Sequence, residues 1–198
     1  MNNTHNLSKG TLSYQDYKKL INYGIIFSKK EIPKNSIQPA SIDLRLGKIA
    51  YKISASFLAI NETIEDKISK LGLKRIDISK GKLFKKNVTY LVEIQENLYL
   101  TNNISGKCNP KSSTGRLDIF CRAITDFNSE YELIKKDYKG KIFLEITSKT
   151  FNIIFSEGDK LNQLRLRNYK VKFITYKQLK NINQHYSFLF DKNNSMQV

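Results

Sequence analysis

Short runs of alternating polar and apolar residues recur along most of this chain, and they constrain its fold more than any other feature. Ser41-Ile42-Asp43-Leu44-Arg45-Leu46 alternates strictly and is closed by Gly47, the period-two signature of a half-buried strand. Val88 to Ile94 and Asn97 to Leu100 read as two further strands. Leu117 to Ile124, Lys141 to Thr147, Phe151 to Phe155 and Leu161 to Arg167 continue the series. Tyr138-Lys139-Gly140 and Glu157-Gly158-Asp159 are turn signals between them. Several short strands at close spacing predict a mainly β chain, folded as a barrel or a double-sheet roll.

Helical patterning is confined to the margins. Leu12 to Ile21 is amphipathic, with Ser13 placed to cap it and Gly24 just past its end. Pro33 and Pro39 bracket an extended lead-in to the first strand. The stretch from Ser54 to Lys80 is less regular and reads as an insertion with a short helix near Glu65 to Leu71. Tyr176 to Lys180 looks helical and Asp191 to Val198 frayed. For 198 residues this predicts a barrel domain with its N-terminal helix over 1–175 and a helical, frayed extension over 176–198.

The hydrophobic fraction of 40% is adequate for a core. No apolar run approaches the roughly 18–20 residues that cross a membrane, and the first residues lack a basic-then-apolar leader pattern. The expectation is a cytoplasmic protein with no membrane partner, in which Cys108 and Cys121 stay reduced. The net charge of +16 invites a nucleic-acid reading. Its source argues otherwise: 28 lysines against six arginines, in a chain also rich in Asn and Ile, fit an AT-rich genome. The lysines are scattered and lack the interleaved aromatics of a single-strand binder. A solvated lysine surface is expected, with no nucleic-acid partner and some steering of a polyanionic small substrate.

One segment is chemically dense. Within Asn109 to Asp118, the six residues Lys111-Ser112-Ser113-Thr114-Gly115-Arg116 hold two cations, three hydroxyls and a glycine. Cations, hydroxyl donors and accessible backbone N–H groups are what a phosphate needs. About thirty residues later the apolar run Lys141 to Ile146 carries one carboxylate, Glu145. A phosphate cradle and an isolated acid suggest chemistry on a nucleotide. Other chemistries are disfavoured. A zinc deaminase needs a His or Cys, a nearby Glu and a Cys-x-x-Cys pair; here the histidines, His5 and His185, lie near the two ends and the cysteines are thirteen apart. That placement leaves no four-ligand zinc site expected, and there is no Walker loop and no Gly-x-Gly-x-x-Gly.

The order of these motifs resembles the deoxycytidine triphosphate (dCTP) deaminases of the dUTPase-like superfamily. Gln38 to Gly47 is similar to their first motif, Lys111 to Arg116 to their phosphate and catalytic motif, and Gly140 to Glu145 to the strand bearing their catalytic glutamate. Gly158 to Leu164 resembles the late motif shared with deoxyuridine triphosphatases. The likeness covers Leu12 to Arg167 and is greatest to the N-terminal half of the long, two-domain bacterial form. It implies a distorted β-barrel or jelly-roll of the dUTPase-like (β-clip) type, usually a homotrimer with sites at subunit boundaries. It also implies hydrolytic deamination of dCTP to dUTP and ammonia without zinc, magnesium arriving with the substrate phosphates.

Carried over residue by residue, Glu145 is the general base and then acid, and Ser112 and Arg116 position the water. Lys111, Ser113, Thr114 and Gly115 cradle the triphosphate. Asp43 matches the first motif's acid and is a possible indirect metal contact. Gln163 can reach phosphate. Backbone groups at Ile124 and Thr125, with Asp126 beside them, would read the base. The chemistry suits the assignment, because attack at C4 needs a deprotonated water and a proton delivered to the ring nitrogen, and one carboxylate can perform both transfers in turn. Ordinary structural readings stand beside these: Glu145 facing outward, Arg116 paired with Asp118 or Asp126, Ser112 and Ser113 as turn hydroxyls, and Asp43 and Asp126 as loop caps.

Two departures matter. Lys111 stands where short deaminases commonly have arginine, a point charge in place of a bidentate fork. Tyr169 to Val198 does not match the closing tail of the short forms. An inactive or truncated nucleotide-binding remnant is therefore one alternative. Deoxyuridine triphosphate hydrolysis is another, but its motif here reads Ile134-Lys135-Lys136-Asp137-Tyr138-Lys139-Gly140, with lysine at the position of the carboxylate base.

Overall fold

The alternating segments form antiparallel β structure in the computed structural model, which describes residues 7–101, 103–168 and 174–186. In chain order the elements are β1 (Gly10–Thr11), α1 (Tyr14–Asn22), β2 (Ile26–Phe27), β3 (Ile37–Gln38), β4 (Ser41–Ile53), α2 (Ile64–Lys70), β5 (Arg75–Asp77), β6 (Lys82–Phe84), β7 (Thr89–Tyr99), β8 (Ile104–Pro110), α3 (Ser112–Arg116), β9 (Ile119–Thr125), β10 (Leu133–Ile134), β11 (Lys139–Ser148), β12 (Ile153–Phe155), β13 (Lys160–Asn168) and α4 (Tyr176–Tyr186). The main sheet runs β10-β8-β13-β4-β7-β11-β9, with β1, β2, β3 and β5 added at its flanks, while β6 and β12 pair separately.

Its two ends are drawn together at Glu132. The Glu132 N–H donates to the Ala123 carbonyl on β9 (2.8 Å), and the Cys108 N–H on β8 donates to the Glu132 carbonyl (2.7 Å). The sheet is therefore a nearly closed barrel around a core that includes Leu44, Leu46, Ile94, Leu144, Ile146, Leu164 and Leu166. The expectation of a mainly β, barrel-like chain is met.

Several boundaries differ from the sequence reading, each for an identifiable reason. Gly47 does not close the first strand; β4 runs on to Ile53, and the β4–β7 register shifts between Leu46 and Ala50. A Cβ at Gly47 would lie 2.6 Å from the Glu93 carbonyl oxygen, so the glycine permits close approach inside a bulged strand. The two strands expected over Val88–Leu100 are one, β7, because Glu96 points inward. It is buried and paired with Arg45, whose Nε lies 2.6 Å from its carboxylate. Strand β8 is absent from the sequence reading, since Gly106, Asn109 and Pro110 read as breakers. Gly106 is where the Leu164 and Leu166 side chains press closest, at 2.8 and 2.9 Å from a notional Cβ.

The margins agree better. Helix α1 starts after Ser13, whose N–H and hydroxyl both donate to the Asp16 carboxylate at 2.9 and 2.8 Å. Tyr23 ends it and Gly24 follows at φ +67°. The insertion after β4 carries α2, one residue from its expected position. Helix α4 extends to Tyr186, past the expected Lys180. The tail expected to fray, Asp191 to Val198, lies outside the described residues, as does His5.

Candidate active site

Strand β11 lies between β7 and β9, and Glu145 is in register with Leu91 on one side and Arg122 on the other. Period-two geometry sends Ile142, Leu144 and Ile146 into the barrel and Phe143 and Glu145 to the opposite face. That face is covered. Phe143 joins Ile53, Ala59, Leu91 and Ile124 in a second apolar cluster, roofed by Ile64 and Ile68 of α2. The insertion thus converts an outer barrel face into an interior, leaving Glu145 only 2% exposed.

A carboxylate so placed needs compensation. Glu145 Oε1 receives it from Ser56 Oγ at 2.9 Å and from Arg122, with Nε at 3.0 Å and Nη2 at 2.9 Å. The Arg122 guanidinium lies over the Tyr131 ring, 3.6 Å from its centroid, which fixes the plane from which it donates. All these contacts converge on one oxygen. Glu145 Oε2 is buried and has no hydrogen-bond partner among the described residues.

The cradle is a second cluster, on α3 and the strands beside it. Thr114 is buried, and its hydroxyl donates to the Leu161 carbonyl at 2.8 Å. The same carbonyl accepts the Lys111 N–H at 2.9 Å. Ser112, Ser113, Gly115 and Arg116 remain exposed. Lys111 pairs with Asp43, whose Oδ1 is buried without a hydrogen-bond partner. Gln163 Oε1 accepts the Ser41 hydroxyl at 3.2 Å. Asp43, Lys111, Ser112, Gln163 and Arg165 line a cavity of about 360 Å³. Arg165 was not singled out from sequence; period-two spacing from Gln163 is the signal that finds it. A larger cleft of about 620 Å³ beside the β4 bulge contains neither Glu145 nor Lys111.

The residues expected to read the base lie at the end of β9. Ile124 is buried in the outer cluster. Thr125 is buried, its hydroxyl accepting from Asn128 Nδ2 at 3.0 Å. Asp126 Oδ1 accepts the Ile64 N–H at 2.8 Å, at the first turn of α2, and Oδ2 lies 3.3 Å from the Tyr138 hydroxyl. Partial burial pushes the Asp126 carboxyl above its ordinary range. Asp126 thus caps the insertion helix, while the Asp118 carboxylate takes the Thr150 hydroxyl; neither is bonded to Arg116.

Within one chain the structure gathers Asp43, Lys111, Ser112 and Gln163 in one place and Glu145 in another. Among the described residues, no hydrogen bond or ion pair joins the two. The guanidinium holding Glu145 is that of Arg122, not Arg116. Arg122 and Ser56 both escaped the sequence reading. Arg122 sits in the apolar run of β9 and was visible as its lone charge; Ser56 comes from an irregular loop and carried no signal.

Glu132 bonds to a sequence neighbour of each cluster. Its Oε1 accepts the Ala123 N–H at 3.0 Å, next to Arg122. Asn162 Nδ2 approaches its two oxygens at 3.4 and 3.5 Å, and Asn162 lies between Leu161 and Gln163. Burial pushes the Glu132 carboxyl up to about 7. Cys108 and Cys121 are free, buried thiols beside it, and burial pushes both well up. Among the described residues no group of three or more His, Cys, Asp or Glu side chains is arranged to hold a metal ion, and no helix is long and apolar enough to cross a membrane.

Comparison with known proteins gives the site a context. The family described as 2'-deoxycytidine 5'-triphosphate deaminase N-terminal domain matches residues 8–170. A Dictyoglomus thermophilum protein named dCTP deaminase, dUMP-forming, is 27% identical over 140 residues, covering 69% of each chain. The crystal structure of 2'-deoxycytidine 5'-triphosphate deaminase from Agrobacterium tumefaciens superposes with a TM-score of 0.82 at 34% identity over 90% of this chain. This chain spans about half of that protein's length, 53%.

Proposed function

Because the chain belongs to the 2'-deoxycytidine 5'-triphosphate deaminase N-terminal domain family, we propose that it converts dCTP and water to dUTP and ammonia. The observation that carries this reading is Glu145: a buried carboxylate with one oxygen held by Ser56 and Arg122 and the other unpartnered. Oε2 takes a proton from water as the water oxygen adds to C4 of the cytosine ring. The same carboxyl returns that proton to N3. The second water proton then passes to the amino group, which leaves as ammonia while the C4 carbonyl forms. The dry surroundings strengthen each of these interactions.

Lys111, Ser113, Gly115 and Gln163 hold the triphosphate in this proposal, and Thr114 seats the turn that presents them. Ser112 and Arg116 hold the attacking water against a Glu145 from another copy of the chain, since among the described residues no hydrogen bond or ion pair joins the two clusters within one chain. A homotrimer with sites at subunit boundaries is the assembly proposed. Backbone groups at Ile124 and Thr125 read the base. Magnesium arrives with the substrate phosphates in this proposal and is held mainly by them and by water; the cradle's one carboxylate, Asp43, is already paired with Lys111 and would touch the ion only indirectly. When bound it neutralises phosphate charge. No zinc takes part, the bond cleaved is the ring C4–amino bond, and reduced Cys108 and Cys121 suit the cytoplasm as the compartment.

The Dictyoglomus relative's name makes dUMP the rival product. Against it, the Lys135 ammonium, at the position a phosphohydrolase would give to its carboxylate base, donates to the Phe127 carbonyl. Incubation with dCTP and magnesium, with nucleotides separated by chromatography and Glu145→Gln alongside, tests the reading. dUTP and ammonia from wild type alone uphold it. dUMP overturns the assignment of Lys135. Nucleotide binding without product overturns catalysis and leaves a nucleotide-sensing module.

A further inference from the structure

We infer that Ser56, carried by the insertion between β4 and β5, is a positioning residue that fixes the plane of the Glu145 carboxylate and so the place of its free oxygen. This rests on the deaminase reading and deepens it. Ser56 is itself exposed, yet its hydroxyl reaches inward to a carboxylate that is 2% exposed. It donates to Oε1 at 2.9 Å, the same oxygen that takes both Arg122 nitrogens. An arginine fork normally meets a carboxylate with one nitrogen on each oxygen. Here both nitrogens fall on one, and the hydroxyl adds a third donor to it.

The consequence is a division of labour between chemically equivalent atoms. Oε1, with three donors, is the poorer proton acceptor and the fixed pivot. Oε2, buried and unpartnered, is the oxygen left free to take a proton, and the proton it takes leaves from the same atom. Arg122 alone, bonding one oxygen, leaves the tilt of the carboxylate plane about the terminal torsion open. Terminal carboxyl torsions are broad. Ser56 approaches from the insertion, where Arg122 from β9 does not, and two donors from different elements hold the plane that one leaves loose.

The insertion is built to deliver this hydroxyl steadily. Its helix α2 buries Ile64 and Ile68 against the outer cluster, Asp126 accepts its first N–H, and the Asn128 N–H donates to the Ala59 carbonyl at 2.9 Å. Three residues after Ser56 the chain is therefore tied to the end of β9.

Ser56→Ala and Ser56→Thr are the test, with wild type and Glu145→Gln beside them. For dCTP, Ser56→Ala is expected to lower kcat about tenfold, the size of one charge-assisted hydrogen bond lost in the transition state. KM should stay within about twofold. Ser56→Thr, which keeps the hydroxyl, should recover most of the rate. Unchanged kcat, or a fall that Thr does not rescue, overturns the inference. The second readout needs no turnover. In protein carrying 13C-labelled glutamate, the Glu145 Cδ resonance is identified by its loss in Glu145→Gln. It should move in Ser56→Ala and return in Ser56→Thr. An unmoved resonance overturns the positioning role even where no deaminase activity is found. A moved resonance with inactive wild type sinks the deaminase reading alone.

Discussion

The Glu132 carboxyl is the best place to perturb the barrel's closure, and Glu132→Gln is the change to make. Burial pushes this group from 4.5 up to about 7, opposed by the Ala123 N–H, Asn162 and the Arg122 charge. A folded-state midpoint above the unfolded one means the native protein binds the proton more tightly. Stability from this source is full below pH 4.5, falls as pH rises through the window to about 7, and is lost above it. At about 1.36 kcal/mol per pH unit, the ionised form is disfavoured at pH 8 by at most about 3 kcal/mol; partial exposure of the side chain reduces this to about 2 kcal/mol. Glutamine keeps an acceptor for the Ala123 N–H and removes the charge. Its amide also supplies a donor that the unpartnered Asn162 Oδ1 lacks. Urea unfolding of wild type and variant at pH 5, 6, 7 and 8 measures the difference directly, since all other titrating groups are shared. The variant should match wild type at pH 5 within about 0.5 kcal/mol and exceed it by about 2 kcal/mol at pH 8, with unchanged m-values. Parallel stability curves across the range would refute the argument.

Lys111→Ala should raise KM for dCTP about tenfold or more, equivalent to about 1.4 kcal/mol of lost triphosphate contact, with a smaller effect on kcat; steady-state kinetics decide it, and an unchanged KM removes Lys111 from the cradle. Arg45→Met strands the fully buried Glu96 carboxylate and should cost about 3–5 kcal/mol in chemical denaturation, most of it recovered when Glu96→Leu is added. Gly47→Ala drives a methyl toward the Glu93 carbonyl and should cost about 1–3 kcal/mol, a melting temperature lower by roughly 3–10 °C; a neutral outcome means the β4 bulge yields freely.

What could be read from the sequence followed from local physics. Alternation exposed β11 and β13 because their inward positions are uniformly aliphatic. The same logic divided β7 in two, because a buried glutamate is indistinguishable from a turn residue until its partner Arg45, fifty-one positions away, is known. It missed β8 because glycine and proline are ambiguous between breaking a strand and letting neighbours approach it. The motif segments at Lys111 and Glu145 were visible as chemistry. Their surroundings were not: Arg122 and Ser56 reach Glu145 only through strand pairing and through the path of an irregular insertion, and neither is a local property. Thr114 shows the same limit, since nothing in a run of three hydroxyls tells which one faces inward.

The anchoring of α3 has a consequence for how such a site can change. One acceptor, the Leu161 carbonyl, receives both the Lys111 N–H and the Thr114 hydroxyl, so the turn is bolted to the barrel from its inner side. Ser112, Ser113 and Arg116, on the outer side, are free of that duty. Mutational drift at these three positions can alter what the turn recognises without undoing how it is seated, whereas drift at Thr114 unseats everything at once. A library randomised at 112, 113 and 116 with Thr114 held constant would sample new ligand preferences on an intact scaffold.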